Sequence, residues 1–156
     1  AVFAHTRDVG LGVAAGLSFS PTEVQSARSV EATRVGEGFT WGFFVDIPLL
    51  ETFYLSPAAM LYELDLGNGR KPVTDIDLNF KFIVPLSAAR IGTGFNIGLT
   101  NSEQEYQAHV GALGYFAWNF LSNLDVFVLV TYKRLFRDPG PDIDNLHTHA
   151  GVMFRI

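Results

Sequence analysis

HTHAGVMFRI, residues 147–156, alternates in the manner of a β-strand. One parity, extended by one residue, is Leu146, Thr148, Ala150, Val152, Phe154 and Ile156; the other is His147, His149, Gly151, Met153 and Arg155. A period of two puts each set on its own face. One face is almost wholly apolar. The other carries two imidazoles, a glycine, a thioether and a guanidinium. Such a strand faces apolar surroundings on one side and polar company on the other, and what that implies depends on how many more like it the chain holds.

Seven more can be read upstream. The first sets Val9, Leu11, Val13, Ala15, Leu17 and Phe19 against Gly10, Gly12, Ala14, Gly16 and Ser18. The second, Gly38 to Pro48, sets Phe39, Trp41, Phe43, Val45 and Ile47 against Gly38, Thr40, Gly42, Phe44 and Asp46. The third, Thr52 to Leu64, is mixed on both parities. Tyr54, Ala58, Met60, Tyr62 and Leu64 are expected outward, and Pro57, which lacks a donor N–H, is expected to break pairing locally. The fourth sets Ile76, Leu78, Phe80, Phe82, Val84 and Leu86 against Asp75, Asp77, Asn79, Lys81 and Ile83. The fifth sets Ile91, Thr93, Phe95, Ile97 and Leu99 against Arg90, Gly92, Gly94, Asn96 and Gly98. The sixth sets Tyr106, Ala108, Val110, Ala112, Gly114 and Phe116 against Gln107, His109, Gly111, Leu113 and Tyr115. The seventh, Leu124 to Arg134, is apolar on both parities, with Lys133 a candidate for the polar side.

The connections alternate. Short turns are expected at residues 48–51, 85–88 and 119–123. Longer links are expected at 20–36, 65–73, 100–105 and 136–145. Apolar residues make up 48% of the 156-residue chain and charged ones 17%, against about a quarter charged in ordinary domains. Yet no apolar run approaches the 18 or more residues of a spanning helix. The apolar excess comes in strand-sized pieces, as a spanning barrel requires. Residues 1–156 read as one domain. Cysteine is absent and the formal charge is −5, so no thiolate chemistry is available and nucleic acid is not an expected partner.

Eight amphipathic strands, with His149, Gly151, Phe154 and Ile156 spaced as polar-x-Gly-x-x-apolar-x-apolar in the last, make the chain resemble the small eight-stranded outer-membrane barrels of the OmpA/OmpX type. The departure is Ile156, where that family favours an aromatic residue. The resemblance implies an all-β, eight-stranded antiparallel up-and-down transmembrane β-barrel in a bacterial outer membrane. It also implies periplasmic termini, a signal peptide already removed, and a closing strand read by the barrel-assembly machinery.

A soluble lipocalin-like barrel has the same strand count. Glycine separates the two readings. Ten of the fifteen glycines fall on the polar parity (10, 12, 16, 38, 42, 92, 94, 98, 111 and 151), and the bulky residues fall on the other. Small residues suit the crowded lumen of an eight-stranded barrel; on a wet outer surface they would weaken strands for no packing return. Val9, Leu11, Val13, Leu17, Phe39, Trp41, Phe43, Leu78, Phe80, Phe82, Phe95 and Ile97 are therefore expected to face lipid.

The lumen is expected to hold Asp46, Asp75, Asp77, Lys81, Arg90, His109, His147, His149 and Arg155 as mutually satisfied polar groups, because buried charges need partners. Asp46, Arg90 and Arg155 fall at one end and could form one network. A proton path, or a metal shared by His147, His149 and His109, is the functional alternative; no cofactor or metal is expected. Outer-membrane acyltransferases and lipid A deacylases resemble the chain in size, but the outward parity offers only Thr93 and Thr148 and no base beside them. Trp41, Tyr54, Tyr62, Tyr106, Trp118 and Tyr132 read as interfacial girdle residues and Tyr115 as a lumen residue. The loop residues Arg28, Arg34, Arg70 and Lys71 could meet lipopolysaccharide phosphates. The expected role is a non-enzymatic structural or interaction barrel, in contact with outer-membrane lipid and lipopolysaccharide and with an outer-membrane protein as candidate partner. A narrow channel or a lipid-modifying enzyme is the alternative.

Overall fold

The computed structural model describes residues 8–19, 38–65, 70–102, 105–138, 140 and 142–156. Eight strands run β1 (Gly10–Phe19), β2 (Gly38–Pro48), β3 (Phe53–Asp65), β4 (Arg70–Leu86), β5 (Ala89–Ser102), β6 (Glu105–Leu121), β7 (Leu124–Leu135) and β8 (Ile143–Arg155). Each pairs antiparallel with the next, and β8 returns to β1, closing the barrel. The seam runs from Gly10 opposite Arg155 to Phe19 opposite Leu146. Closure leaves no unpaired sheet edge, which a hydrocarbon environment would penalise heavily.

Facing follows the alternation in every strand but one. Along β1, β2 and β4 to β8 the apolar parity points outward, including Leu11, Val13, Phe43, Phe82, Phe95, Ile97 and Phe154, all well exposed. Leu78 and Phe80 also face outward but are partly covered; the Phe80 ring stacks 4.7 Å from that of Phe95. In β7 the inward set is Asp125, Phe127, Leu129, Thr131, Lys133 and Leu135. The outward apolar run spans Ile76 to Leu86 on β4, Ile91 to Leu99 on β5 and Leu146 to Ile156 on β8, interrupted only by Thr93 and Thr148. That length, about 9–11 residues, is what a tilted strand needs to cross hydrocarbon.

β3 is the exception. Tyr54, Ala58, Met60 and Tyr62 were expected outward and instead are buried, pointing inward beside Ser56. The outward parity is Phe53, Leu55, Pro57, Ala59 and Leu61. Tyr54 and Tyr62 are thus lumen residues rather than girdle residues. Each ring is amphipathic, and the lumen supplies polar partners for a hydroxyl that lipid would not. Pro57 leaves a gap in pairing with β2: Val45 and Asp46 have no partner in the register, which resumes unshifted at Ile47 opposite Leu55.

The asymmetry of the links also differs from expectation. β4 begins at Arg70, β5 runs to Ser102, β6 begins at Glu105 and β8 begins at Ile143, so the links after β3, β5 and β7 are shorter than the sequence suggests. Residues there continue the ladder, with Thr74 opposite Asn101 and Asn101 opposite Tyr106. The difference between the two ends lies partly in strand overhang, β4 and β6 reaching 17 residues each. Residues 1–7, the link after β1 with Arg28 and Arg34, and residues 66–69 lie outside the described residues, as do the side chains of Leu64, Asp65 and Arg70.

Glycine sits inside for a reason beyond lumen volume. A Cβ built on Gly16 would be driven into the Thr148 carbonyl, and one on Gly94 into the Phe80 carbonyl. Both contacts are with the neighbouring strand, not the opposite wall. A barrel of only eight strands curves sharply, and bare backbone at such points lets adjacent strands coil past each other.

Candidate functional site

Two ion clusters and an aromatic layer fill the lumen. At the end that carries the termini, Asp46 accepts from Lys81 Nζ at 2.8 Å, Ser56 Oγ at 2.7 Å and Arg155 Nη2 at 3.4 Å. Arg155 Nε also donates to Asp125 at 2.9 Å, and Asp125 accepts from Arg90 Nη1 at 3.1 Å and Asn119 Nδ2 at 3.1 Å. Asp46, Arg90 and Arg155 therefore do share one network, but Asp125 joins Arg90 to the others. The pairing gap at Pro57 falls beside it, and Asn79 Nδ2 donates to the Ser56 carbonyl at 2.9 Å.

Toward the other end lies a second cluster. Lys133 Nζ donates to Asp75 at 2.7 Å and to Asp77 at 2.6 Å. Tyr62 and Thr100 hydroxyls donate to the other Asp75 oxygen at 3.1 and 2.7 Å. His109 holds Thr100 Oγ1 at 2.8 Å through Nδ1 and Asp77 at 2.6 Å through Nε2. Gly98 stands between Asp77 and His109 in the ladder. Its missing side chain lets the imidazole reach across, since a Cβ there would meet His109 Nε2 at 2.6 Å.

The proton count of this cluster is constrained. With both carboxylates ionised they only accept, so Thr100 must give its single proton to Asp75 and His109 Nε2 must donate to Asp77. Nδ1 must then donate to Thr100. In that state both ring nitrogens of His109 donate, and the two carboxylates are shared between Lys133 and the imidazole. At the terminal end Asp46 and Asp125 face Lys81, Arg155 and Arg90. Burial of unpaired charge is costly, and this pairing is what makes it tolerable.

Between the clusters lie Phe44, Tyr115, Phe127, Leu129, Met60 and Met153, all buried in one apolar group. Phe44 and Phe127 meet edge to face at 5.8 Å, and Tyr115 stacks on Phe127 at 5.8 Å. Lys81 Nζ lies 4.9 Å from the Tyr115 ring, which ties this layer to the terminal cluster. His149 packs against Phe44 at 6.0 Å and bonds Thr40 at 3.1 Å. His147 packs against Tyr62 at 4.8 Å, which ties the layer to Asp75.

The alternative of a metal shared by His147, His149 and His109 finds no common point. His147 and His149 stack 6.0 Å apart, while His109 is engaged by Thr100 and Asp77. Among the described residues, the three-ligand group is Asp75, Asp77 and His109. Lys133 already sits on both of its carboxylates, a tethered ammonium where a free cation would bind. Outside, Thr93 and Thr148 face outward as expected, and the Thr93 hydroxyl donates to the Leu113 carbonyl at 3.1 Å. Lys71 lies at the end opposite the termini, on the inward parity of β4.

Sequence reasoning missed Asp125, Ser56, Thr100 and Asn119. Asp125 was hidden because β7 is apolar on both parities. The signal that could have found it is parity: Asp125 is in step with Lys133, which had to point inward.

No family model and no curated protein sequence matches the chain. Solved structures do. Neisserial surface protein A superimposes with a TM-score of 0.73 at 10% identity, covering 95% of this chain and 97% of that one. The outer membrane protein OprG of Pseudomonas aeruginosa gives 0.57 at 9% identity, covering 96% and 97%. A de novo designed transmembrane β-barrel gives 0.54 at 8% identity, covering 96% of each. A designed sequence shares the architecture without sharing ancestry, so these likenesses speak to fold: the chain has the fold of the small eight-stranded outer-membrane barrels.

Proposed function

We propose that the chain is a non-enzymatic integral barrel of a bacterial outer membrane with a structural or protein-interaction role, serving as an accessory subunit of an outer-membrane complex. One observation carries this reading: the lumen is filled by two ion clusters separated by packed aromatic and aliphatic side chains, leaving the outer surface as the working part. In this reading the termini are periplasmic, and His149, Gly151, Phe154 and Ile156 form the signal read during assembly. Lipopolysaccharide and membrane lipid surround the barrel.

The lipid-modifying alternative has one geometric point in its favour. Thr100, His109 and Asp77 run hydroxyl, imidazole, carboxylate, the order of an acyl-transfer triad. Against it, Thr100 is 2% exposed, its proton is committed to Asp75, and Lys133 bridges the two carboxylates.

The test is extraction from the native membrane in mild detergent, followed by native mass measurement with identification of components. A stoichiometric protein companion is the expected result. A lone barrel that changes lipid A mass in the membranes expressing it, with Thr100→Ala abolishing the change, would overturn the reading in favour of an enzyme.

A further inference from the structure

Two hollows lie on the outward wall among the described residues. One, about 420 Å³, lies over Ala15 and Ala150, flanked by Val13, Trp41, Phe43 and Val152. It is mid-belt, and no ionisable side chain borders it. The other, about 570 Å³, lies across β3 to β6 over Pro57, Ile76, Leu78, Ile97, Leu99, Ala108 and Val110. Its size is within the range of about 300–1,000 Å³ typical of small-ligand sites. It arises because Ala108 and the proline ring of Pro57 are too short to fill the space between longer neighbours.

This second hollow is distinguished by where it sits. The ladder places Pro57, Leu78, Ile97, Val110 and Arg134 in one row across five strands. Arg134 faces outward at the end of that row, its side chain 51% exposed. It is steadied from the side away from the hollow by Asp144, which accepts from Nε at 2.8 Å and Nη2 at 3.1 Å. Beyond the hollow the outward parity turns polar, with Glu63, Thr74 and Asn101. The apolar trough thus ends at Val110, and the next residue of the row, one strand further on, is Arg134 with its half-exposed guanidinium. A phosphorylated acyl lipid matches this arrangement: chain in the trough, anion at the rim.

We infer that the hollow over Ala108 holds an acyl chain of lipid A, with a lipid A phosphate lying against Arg134. The inference rests on the outer-membrane reading for the leaflet in which lipid A would be met. Asp144 then acts as a brake, repelling the phosphate and competing for the guanidinium.

The experiment uses the folded chain in phosphatidylcholine nanodiscs with increasing lipid A, and reads bound lipid A by native mass spectrometry. Ala108→Phe, which fills the trough, should weaken binding. Arg134→Gln should weaken it about tenfold, the change expected for loss of one charge-assisted contact. Asp144→Asn should strengthen it. Ala15→Phe, which fills the other hollow, should leave it unchanged. Dephosphorylated lipid A should bind wild type no better than it binds Arg134→Gln. Retention of full binding by Ala108→Phe, equal loss in Ala15→Phe, or weaker binding by Asp144→Asn would overturn the site, as would a second copy or a protein seated there in place of lipid. Because the discs are made from purified components, these results stand apart from the barrel's address in the cell. Fractionation of native membranes tests that separately, and recovery outside the outer membrane would sink the earlier reading without touching the measured affinity.

Discussion

His109 is where hydrogen-bond counting makes its firmest demand. Both ring nitrogens must donate if Asp75 and Asp77 are ionised. Ring-nitrogen chemical shifts of the folded barrel test this: two protonated nitrogens go with two ionised carboxylates, and a neutral ring would place the missing proton on a carboxylate. Lys133 serves both aspartates, so Lys133→Met should leave a buried anion uncompensated and cost about 3–5 kcal/mol in denaturant-unfolding experiments. Adding Asp75→Asn and Asp77→Asn should recover much of that loss, and failure to recover any would mean that the lysine acts through packing alone. The glycines divide by what surrounds them. At Gly12 a new methyl would press on the flexible end of Met153, 2.8 Å from its Cε. At Gly94 it would meet backbone. Gly94→Ala should thus lose about 1–3 kcal/mol and Gly12→Ala distinctly less; the reverse order would locate the crowding in the lumen centre rather than in the coiling of the wall.

At the scale of strands, legibility depended on contrast between the two faces. β1, β4, β5 and β8 alternate bulky apolar residues with glycine or charge, so their facing could be read directly. β3 could not be read this way: Tyr54, Met60 and Tyr62 on one side and Phe53, Leu55 and Leu61 on the other are all large and largely apolar. Only Ser56 betrays the inner face, through its bond to Asp46. β7 was ambiguous for the same reason and was resolved by its two charged inward residues. The lumen residues were legible as a set because charge has nowhere else to go on such strands. Their division into two clusters was not, since it depends on which strands meet across the barrel and on Gly98 letting His109 reach Asp77. For β1 the facing makes a direct prediction. Val13→Arg puts a charge in the belt and should cost about 2–4 kcal/mol in a bilayer, read as a lowered midpoint for the shift between folded and unfolded migration on an unheated gel. An unchanged midpoint would mean that this face does not meet lipid.

At the scale of the whole molecule, packed side chains cross the lumen among the described residues. The layer around Phe44, Tyr115 and Phe127 closes the lumen between two charged ends, and the purified barrel in planar bilayers should show no unitary conductance. Reproducible steps would mean that this layer moves aside. The same closed ladder has a consequence in time. The seam between β1 and β8 joins residues more than about a hundred positions apart, whereas every other pairing joins neighbours in the chain. Hairpins such as β4–β5, linked through two residues, can form early and locally. The seam must wait until both ends of the wall meet, and it bears the largest loop-closure entropy of the structure. Until then two strand edges stand open, able to pair with another chain as readily as with each other. The last zip of Gly10–Phe19 onto Leu146–Arg155 is therefore the step expected to be slowest, and a chain held short of it should associate with other chains through those two edges.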